Sequence, residues 1–534
     1  MKYIKIKALV IGVAAVGLLS TTGCKKSYLD INSNPNAVTE SNVTAELIFP
    51  SAAVRVGGRT ATGNLTFLQS WMGYYSQPGD FAIDQEQTSY NITFTFGQAF
   101  WQNHYDVLFD LEQTRKKALV AGDSVLAGAS MILSAKLWQE LVDLYGNIPF
   151  TQAFHIEQTS TPAYDKDSTV YRLLHAQLDQ AISYMKGTAR GNYPTVVGGI
   201  VRFGGTGGTN TAVTGTAAVQ QPLWIKFANT LKLRMLIRTS EVATPGIDRN
   251  AELAKIAANG GVLGSGQSVN VNPGYADETG KVSPFFGTYG YQAVSHSDGN
   301  TSTRANKYIV DSMAARSDAR LARLYRGVGA TYNTQGGAIV GTRYGQSVPA
   351  NPGGAASSKM GFGTAGTFTQ DQWIFTSVES LFLLAEAVQR GWIAGTPAAA
   401  YQNAVNESFI WLGAGGATAG AAYTASTPLA SYTNASITLP NGFVFTPVKF
   451  IAYQKYIAMN SIDPIEAYSD LRRLDMIPDK GYLSVNPSRH AGNKLPNRLL
   501  YPQEEYTLNF ANVSAQGDIN KDNIFTTAKI FWQP

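Results

Sequence analysis

Cys24 is the one thiol in 534 residues, and its setting, MKYIKIKALVIGVAAVGLLSTTGC, points to one chemistry. Lys2, Lys5 and Lys7 form a basic start, and residues 8–19 are an apolar run of twelve. That run is too short to span a bilayer, which takes about twenty apolar residues. Thr21, Thr22 and Gly23 then supply the small side chains that a signal peptidase accepts. The stretch resembles a lipobox, after which the Cys24 thiol carries a diacylglycerol and the freed amine is acylated. Thr21 stands where an apolar residue is usual, with Leu19 two positions further back. Two or three acyl chains hold a soluble domain at a membrane, whereas one does so only marginally. With Cys24 lipidated, no disulfide can form, so stability must come from packing.

No other residues have the spacing of a reactive centre. The five histidines, His104, His155, His175, His296 and His490, lie more than ten residues apart, so HExxH and other short metal spacings are absent. There is no GxSxG and no P-loop. Gly361, Gly363 and Gly366 make a GxGxxG, but SSKM precedes it and TFTQ follows. Without a strand before and a helix after, the motif reads as flexible loop. Glu379 and Glu386 are seven apart, hence on one helical face, and a buried ion pair with Arg472 and Arg473 is expected there. Glycoside hydrolysis needs two carboxylates, and the nearest approach is Asp80 with Asp84 beside Tyr75 and Phe81. Nothing singles that pair out. No catalytic residue, metal ligand or cofactor is assigned, and the chain reads as a binder rather than an enzyme.

Binding chemistry is better represented. Sugars present flat C–H faces that stack on aromatic rings, and hydroxyls that Asn, Gln, Asp and Arg can read. Two segments combine both kinds of residue: SWMGYYSQPGDFAIDQEQTSYN at 70–91 and SPFFGTYGYQAVSHSDGN at 283–300. The candidate ligand residues are Tyr75, Phe81, Trp101, Phe286, Tyr289 and Tyr291, while Trp71 and Tyr74 continue an apolar run from Leu65 and read as core. Tyr289 and Tyr291 would share one face if their loop is strand-like, since side chains alternate along an extended chain.

The elements that must position these residues are mainly helical. In 131–145, Met131, Ala135, Trp138, Val142 and Tyr145 recur at helical spacing, and Leu137, Leu141 and Leu144 widen the stripe into a buried face. Gly146 and Pro149 then end the helix. Further helices are expected at about 102–121, 167–186, 222–241, 375–391, 396–412, 447–460 and 502–512, often as neighbours that would form stacked hairpins. Between them run long Gly-, Ser-, Thr- and Ala-rich stretches, 187–221, 259–303, 327–371 and 413–446, expected as functional loops or, for 413–426, partly disordered chain. In 224–241 the stripe Trp224, Ala228, Leu231 and Met235 reads as a packed helix whose Arg234 and Arg238 pair with neighbouring helices.

Five segments together resemble the SusD/RagB family of outer-membrane nutrient-binding lipoproteins, in its second, SusD-like subgroup. They are the Cys24 start with YLDINSNPN (28–36), AKLWQELVDLYGNIPFTQAF (135–154), WIKFANTLKLRMLIRTSE (224–241), FTSVESLFLLAEAVQRG (375–391), and the pair YQKYIAMNSIDPIEAYSDLRRLD (453–475) with LPNRLLYPQEEYTLN (495–509). The resemblance implies a mostly α fold: four tetratricopeptide-like helical hairpins as scaffold, with long loops and short strands forming the ligand surface. It implies an oligo- or polysaccharide, or a peptide, as ligand. It also implies a partner, a SusC-like TonB-dependent outer-membrane transporter, to which the ligand is delivered at the cell surface. The expected organisation is a signal peptide at 1–23, a tether at 24–40 and a single SusD-like domain at 41–534. An envelope scaffold without a small ligand, or a glycoside hydrolase, is the alternative.

Composition agrees with such a domain. Roughly 510 residues remain after cleavage, enough for a sizeable core. The formal charge of +5 falls to +2 once the three signal lysines leave, so there is no electrostatic footprint for nucleic acid.

Overall fold

The computed structural model describes residues 42–61, 65–347, 349–426, 436–438, 443–475, 483–486 and 494–534. Cys24 and the residues expected to form the signal peptide and tether lie outside the described residues. The longer helices are α1 Ala45–Ala61, α2 Gln98–Val120, α3 Ser124–Tyr145, α4 Asp167–Met185, α5 Ala217–Arg238, α6 Arg249–Ala258, α7 Ser377–Gln389, α8 Pro397–Leu412, α9 Gly416–Ala425, α10 Pro447–Ala458 and α11 Pro464–Leu474. All lie in one unit, Ala45–Pro534.

Local chemistry sets the helix ends. The Asp123 carboxylate accepts from the Leu126 amide at 3.0 Å to open α3, and Gly146 closes it at φ 75°. Asp463 accepts from the Ile465 and Glu466 amides at 3.1 and 3.2 Å, with Pro464 at the first helical position of α11. Thr446 and Pro447 do the same for α10. The consecutive pairs α2/α3, α4/α5, α7/α8 and α10/α11 each pack together, giving a helical-hairpin scaffold with short strands between. Helix α3 is apolar and long enough to cross a membrane by composition, but it is the buried core of this scaffold.

Charges bind the hairpins to one another. From α5, Arg234 reaches Glu379 of α7 at 3.2 Å and Gln139 of α3 at 2.9 Å, while Arg238 meets Asp143 of α3 at 3.2 Å and Glu466 of α11. Lys455 of α10 holds Glu466 and, at 3.0 Å, Asp470. The expected pairing of the α5 arginines with neighbouring helices is what forms. Arg473 is the partner of Glu386, whereas Arg472 serves neither glutamate. Its guanidinium bonds the Asp143 and Asn497 carbonyls at 2.8 Å and covers the Tyr468 and Trp532 rings.

Three expectations are corrected. Residues 413–426 are not loop: α9 occupies most of them, because an alanine-rich run is a good helix former once Gly413, Gly415 and Gly416 make the turn at positive φ. The 502–512 helix is broken at Asn509 into Gln503–Leu508 and Phe510–Ser514. The GxGxxG segment is packed rather than flexible, with Gly361 and Gly363 buried and its backbone against Gly207 and Gly208. A side chain on Gly208 would collide with the Phe362 carbonyl, so the glycines permit a close backbone approach.

Candidate functional site

Four two-residue strands gather both aromatic-rich segments. β1 Tyr75–Ser76 pairs antiparallel with β2 Arg304–Ala305, and β3 Tyr325–Arg326 pairs antiparallel with β4 Lys359–Met360. The two ladders adjoin, with the Ala305 amide bonded to the Ser358 carbonyl at 2.9 Å. (Val201–Phe203, Val269–Val271 and Gln372–Phe375 make a separate three-stranded sheet.) Loops leaving these strands enclose a cleft of about 450 Å³ lined by Asp80, Phe81, Asp298, Thr301, Arg304, Ser357 and Lys359, with Gly327, Gly329, Ala330, Gly354 and Ala355 as backbone walls.

The lining is fixed from behind. The Asp80 carboxylate accepts from the Gly354 amide at 2.8 Å, and the Gly79 amide donates to the Pro352 carbonyl at 2.8 Å, so the Phe81 loop is tied to the 351–357 loop. Gly79 sits so close to the Asn351 backbone that no side chain fits. Arg304 is buried, donating from Nε to the Gly354 carbonyl at 3.1 Å and from Nη1 to the Asn300 and Thr303 carbonyls at 2.8 and 2.9 Å. Burial pulls its pKa down, with Asp298 opposing. Asp298 accepts Lys359 Nζ at 2.7 Å and faces Arg304 Nη2 at 3.5 Å. Two cations thus face two carboxylates beside Phe81, which is 37% exposed. Such a site offers donors, acceptors and one apolar face, without net charge.

A tight hairpin continues the wall. Tyr291 and Asp298 bridge its base, and Val294 and His296 adopt φ 66° and 52°, unusual for residues with side chains. Asp277 holds this geometry, accepting the Val294 amide at 2.8 Å and the His296 ring at 2.6 Å, contacts that keep its carboxyl below the usual range. The His296 ring lies against Phe368 and Tyr332, with centroids at 5.1 and 4.6 Å.

Of the six residues chosen from sequence, only Phe81 faces solvent. Tyr75 is buried, donating to Ser461 Oγ at 2.8 Å. Trp101 packs among Tyr105, Tyr145, Tyr164 and Tyr501. Phe286 is buried on Phe368 at 4.5 Å. Tyr289 ends a helical turn, Pro284–Tyr289, so the strand-like alternation fails, and its hydroxyl meets Thr66 Oγ1 at 2.7 Å. Tyr291 is buried between Arg326 and Lys359, both about 5 Å from its ring. Tyr291 backs the cleft residue Lys359 from within, whereas Trp101 belongs to the packing of the helical scaffold. Sequence reasoning missed Arg304 and Lys359, since isolated cations outside a helical stripe carry no periodic signal. Asp80 and Asp84 are both engaged, Asp84 by capping the Gln87 amide at 3.0 Å. Among the described residues, no group of three or more His, Cys, Asp or Glu is arranged to hold a metal.

Comparison with known proteins adds the family. The model of the SusD-like family's second subgroup, described as starch-binding and associating with the outer membrane, matches residues 35–502. No curated protein matches the chain. Among solved structures, a SusD/RagB family protein from Bacteroides thetaiotaomicron is similar with a TM-score of 0.68 at 18% identity, over 92% of this chain and 99% of that one. A chitin-binding SusD homologue from Flavobacterium johnsoniae is similar with a TM-score of 0.68 at 20% identity, over 91% of this chain and 98% of that one. At these identities the likeness speaks for the fold.

Proposed function

The chain belongs to the SusD-like family, and on that premise we propose that it is a lipid-anchored, non-catalytic protein that binds a neutral oligo- or polysaccharide and delivers it to a SusC-like TonB-dependent transporter for uptake across the outer membrane. One observation carries the ligand class: Arg304 and Lys359 are matched by Asp298 and Asp80 around a cleft whose rim is Phe81. A balanced set of donors and acceptors beside an apolar ring suits hydroxyls and C–H faces, and has no surplus charge to attract an ion. The family's description as starch-binding and the chitin-binding relative support a glucan or an N-acetylglucosamine polymer. The lipobox-like sequence before Cys24 supports anchoring through that thiol. Delivery to the transporter rests on the family resemblance alone. Both cleft carboxylates are already engaged, Asp80 by an amide and Asp298 by an ammonium, which favours binding over hydrolysis.

The test is calorimetric titration of the full chain with maltoheptaose, chitohexaose and a panel of soluble plant polysaccharides, with reducing-end release followed in the same samples. Binding without release supports the proposal, and absence of binding to every member of the panel refutes it. Co-purification of a transporter barrel with affinity-tagged protein from native membranes tests delivery, and recovery of the tagged protein alone counts against it.

A further inference from the structure

Trp392 is the one tryptophan of eight that is not buried. It follows the end of α7 and flanks a pocket of about 280 Å³ at the ends of α5 and α6, built from residues of 236–250 and well separated in sequence from the cleft segments. Two guanidiniums lie over its ring, Arg249 at 4.5 Å and Arg390 at 5.5 Å from the centroid. Their electrostatic situations differ. Arg390 is neutralised twice, by Glu241 at 2.5 Å and by the buried Glu386 at 2.8 Å. Arg249 is exposed and forms no ion pair within 4.0 Å among the described residues. The adjacent Asp248 also lines the pocket, but its carboxylate caps the Ala251 amide at 3.1 Å and makes no ion pair with Arg249.

The pocket therefore joins a half-exposed indole, which Arg249 can uncover by moving, to one cation with spare donors, and Ser240 and Asn250 add hydroxyl and amide groups to its lining. We propose that it is a second saccharide site, and that it takes a sugar ring bearing a carboxylate, such as a uronic acid. The C–H face of the ring would lie on Trp392, and the carboxylate would receive the fork of Arg249 in a bidentate pair. Arg249 can make that exchange cheaply, because leaving the indole breaks a weak exposed contact and no salt bridge. A neutral sugar would offer the guanidinium only hydroxyls. This site is built from other segments than the cleft and does not depend on what the cleft binds. On a polymer with neutral and acidic units, two sites on one molecule would raise the apparent affinity through effective concentration.

The experiment titrates the full chain with digalacturonic acid and, in parallel, with cellobiose, following tryptophan fluorescence and heat. Digalacturonic acid should saturate at millimolar concentration or below, and cellobiose should give neither signal. Arg249→Gln should weaken digalacturonate binding about tenfold or more while leaving the melting temperature unchanged. Trp392→Phe should abolish the fluorescence change, and Phe81→Ala should leave the titration as in wild type. Silence with digalacturonic acid in both readouts, or wild-type affinity in Arg249→Gln, overturns the proposal. Equal binding of cellobiose overturns the carboxylate assignment.

Discussion

Arg473 grips Glu386 in a two-pronged pair, Nη1 to Oε1 at 2.7 Å and Nη2 to Oε2 at 2.9 Å, across 87 residues of sequence. Both side chains are closed to solvent. Arg473 also holds Asp470 at 2.7 Å, and Asp470 passes the contact to Lys455 at 3.0 Å. Helices α7, α10 and α11 are thereby fixed to one another by complementary charge. Buried charge of this kind contributes little as a pair but is costly to break.

Arg473→Met should therefore destabilise the fold by up to about 3–5 kcal/mol, because it leaves the buried Glu386 with Arg390 alone and the buried Asp470 mainly with Lys455. Adding Glu386→Leu should recover part of that loss, since one of the under-compensated carboxylates goes with it and Arg390 keeps Glu241. Urea denaturation of both variants measures the effect. A double variant no more stable than Arg473→Met would mean that Glu386 is not held by this arginine.

The same pair sets an acid limit. Burial opposes ionisation of Glu386, but the Arg473 and Arg390 guanidiniums outweigh it and bring the carboxyl down to about 2 from its ordinary 4.5. Glu140 is likewise brought to about 2, by Lys136 and His104 against burial. A carboxyl whose folded pKa is depressed contributes stability above its unfolded pKa and loses it as pH falls towards the folded value. The melting temperature should then be lost steeply between pH 4.5 and about 2, with these two groups contributing no slope above that window. Thermal melts across the range check it, and a flat profile through the window would contradict the assignment.

How much of this was legible in the sequence depended on periodicity. The α3 stripe around Trp138 and the α5 stripe around Trp224 repeat at helical spacing, and both helices form where expected. So do the ion pairs of Arg234 and Arg238, because a cation amid apolar neighbours has to find an acid. The cleft was not legible residue by residue. Tyr289 and Tyr291 have the composition of a binding loop, and only the contacts to Thr66 and Arg326 place them inside. Arg304 and Lys359 come together through two-residue strands, which are too short to leave a pattern.

The packed glycines offer a paired test. Gly208 has φ 65° and lies against the Phe362 carbonyl, so Gly208→Ala should destabilise by about 1–3 kcal/mol through overpacking and backbone strain. Gly58 lies inside α1 with nothing within 4 Å of an added methyl, so Gly58→Ala should be neutral or stabilise by up to about 1 kcal/mol. Opposite signs in denaturation confirm the close approach. Equal and small effects would show that the two glycine-rich loops are not in contact.

For the anchor, Cys24→Ser should yield protein that folds but does not partition into the detergent phase, because no other thiol can carry the lipid. Triton X-114 partitioning of wild type and variant from native membranes reads this directly. Equal partitioning would remove Cys24 from the anchoring step.

The ligand cleft is tested by contrasting an exposed ring with two buried ones. Phe81→Ala should keep the wild-type melting temperature, since the ring packs on little, yet lose affinity for the cognate saccharide about thirtyfold if stacking there is a hot spot of about 2 kcal/mol. Tyr289→Ala with Tyr291→Ala should do the reverse. Tyr289 is 5% exposed, its hydroxyl bonded to Thr66, and Tyr291 is 4% exposed, braced by Arg326 and Lys359. Removing two buried aromatic rings leaves cavities costing several kcal/mol, on the scale of about 3–5 each. Lys359 would also lose the ring that backs it, so any remaining affinity should fall because the cleft deforms. Thermal melts run beside the titrations separate the two outcomes. A double variant that melts like wild type would put both tyrosines on the surface, and a Phe81→Ala variant with full affinity would move the saccharide away from this cleft.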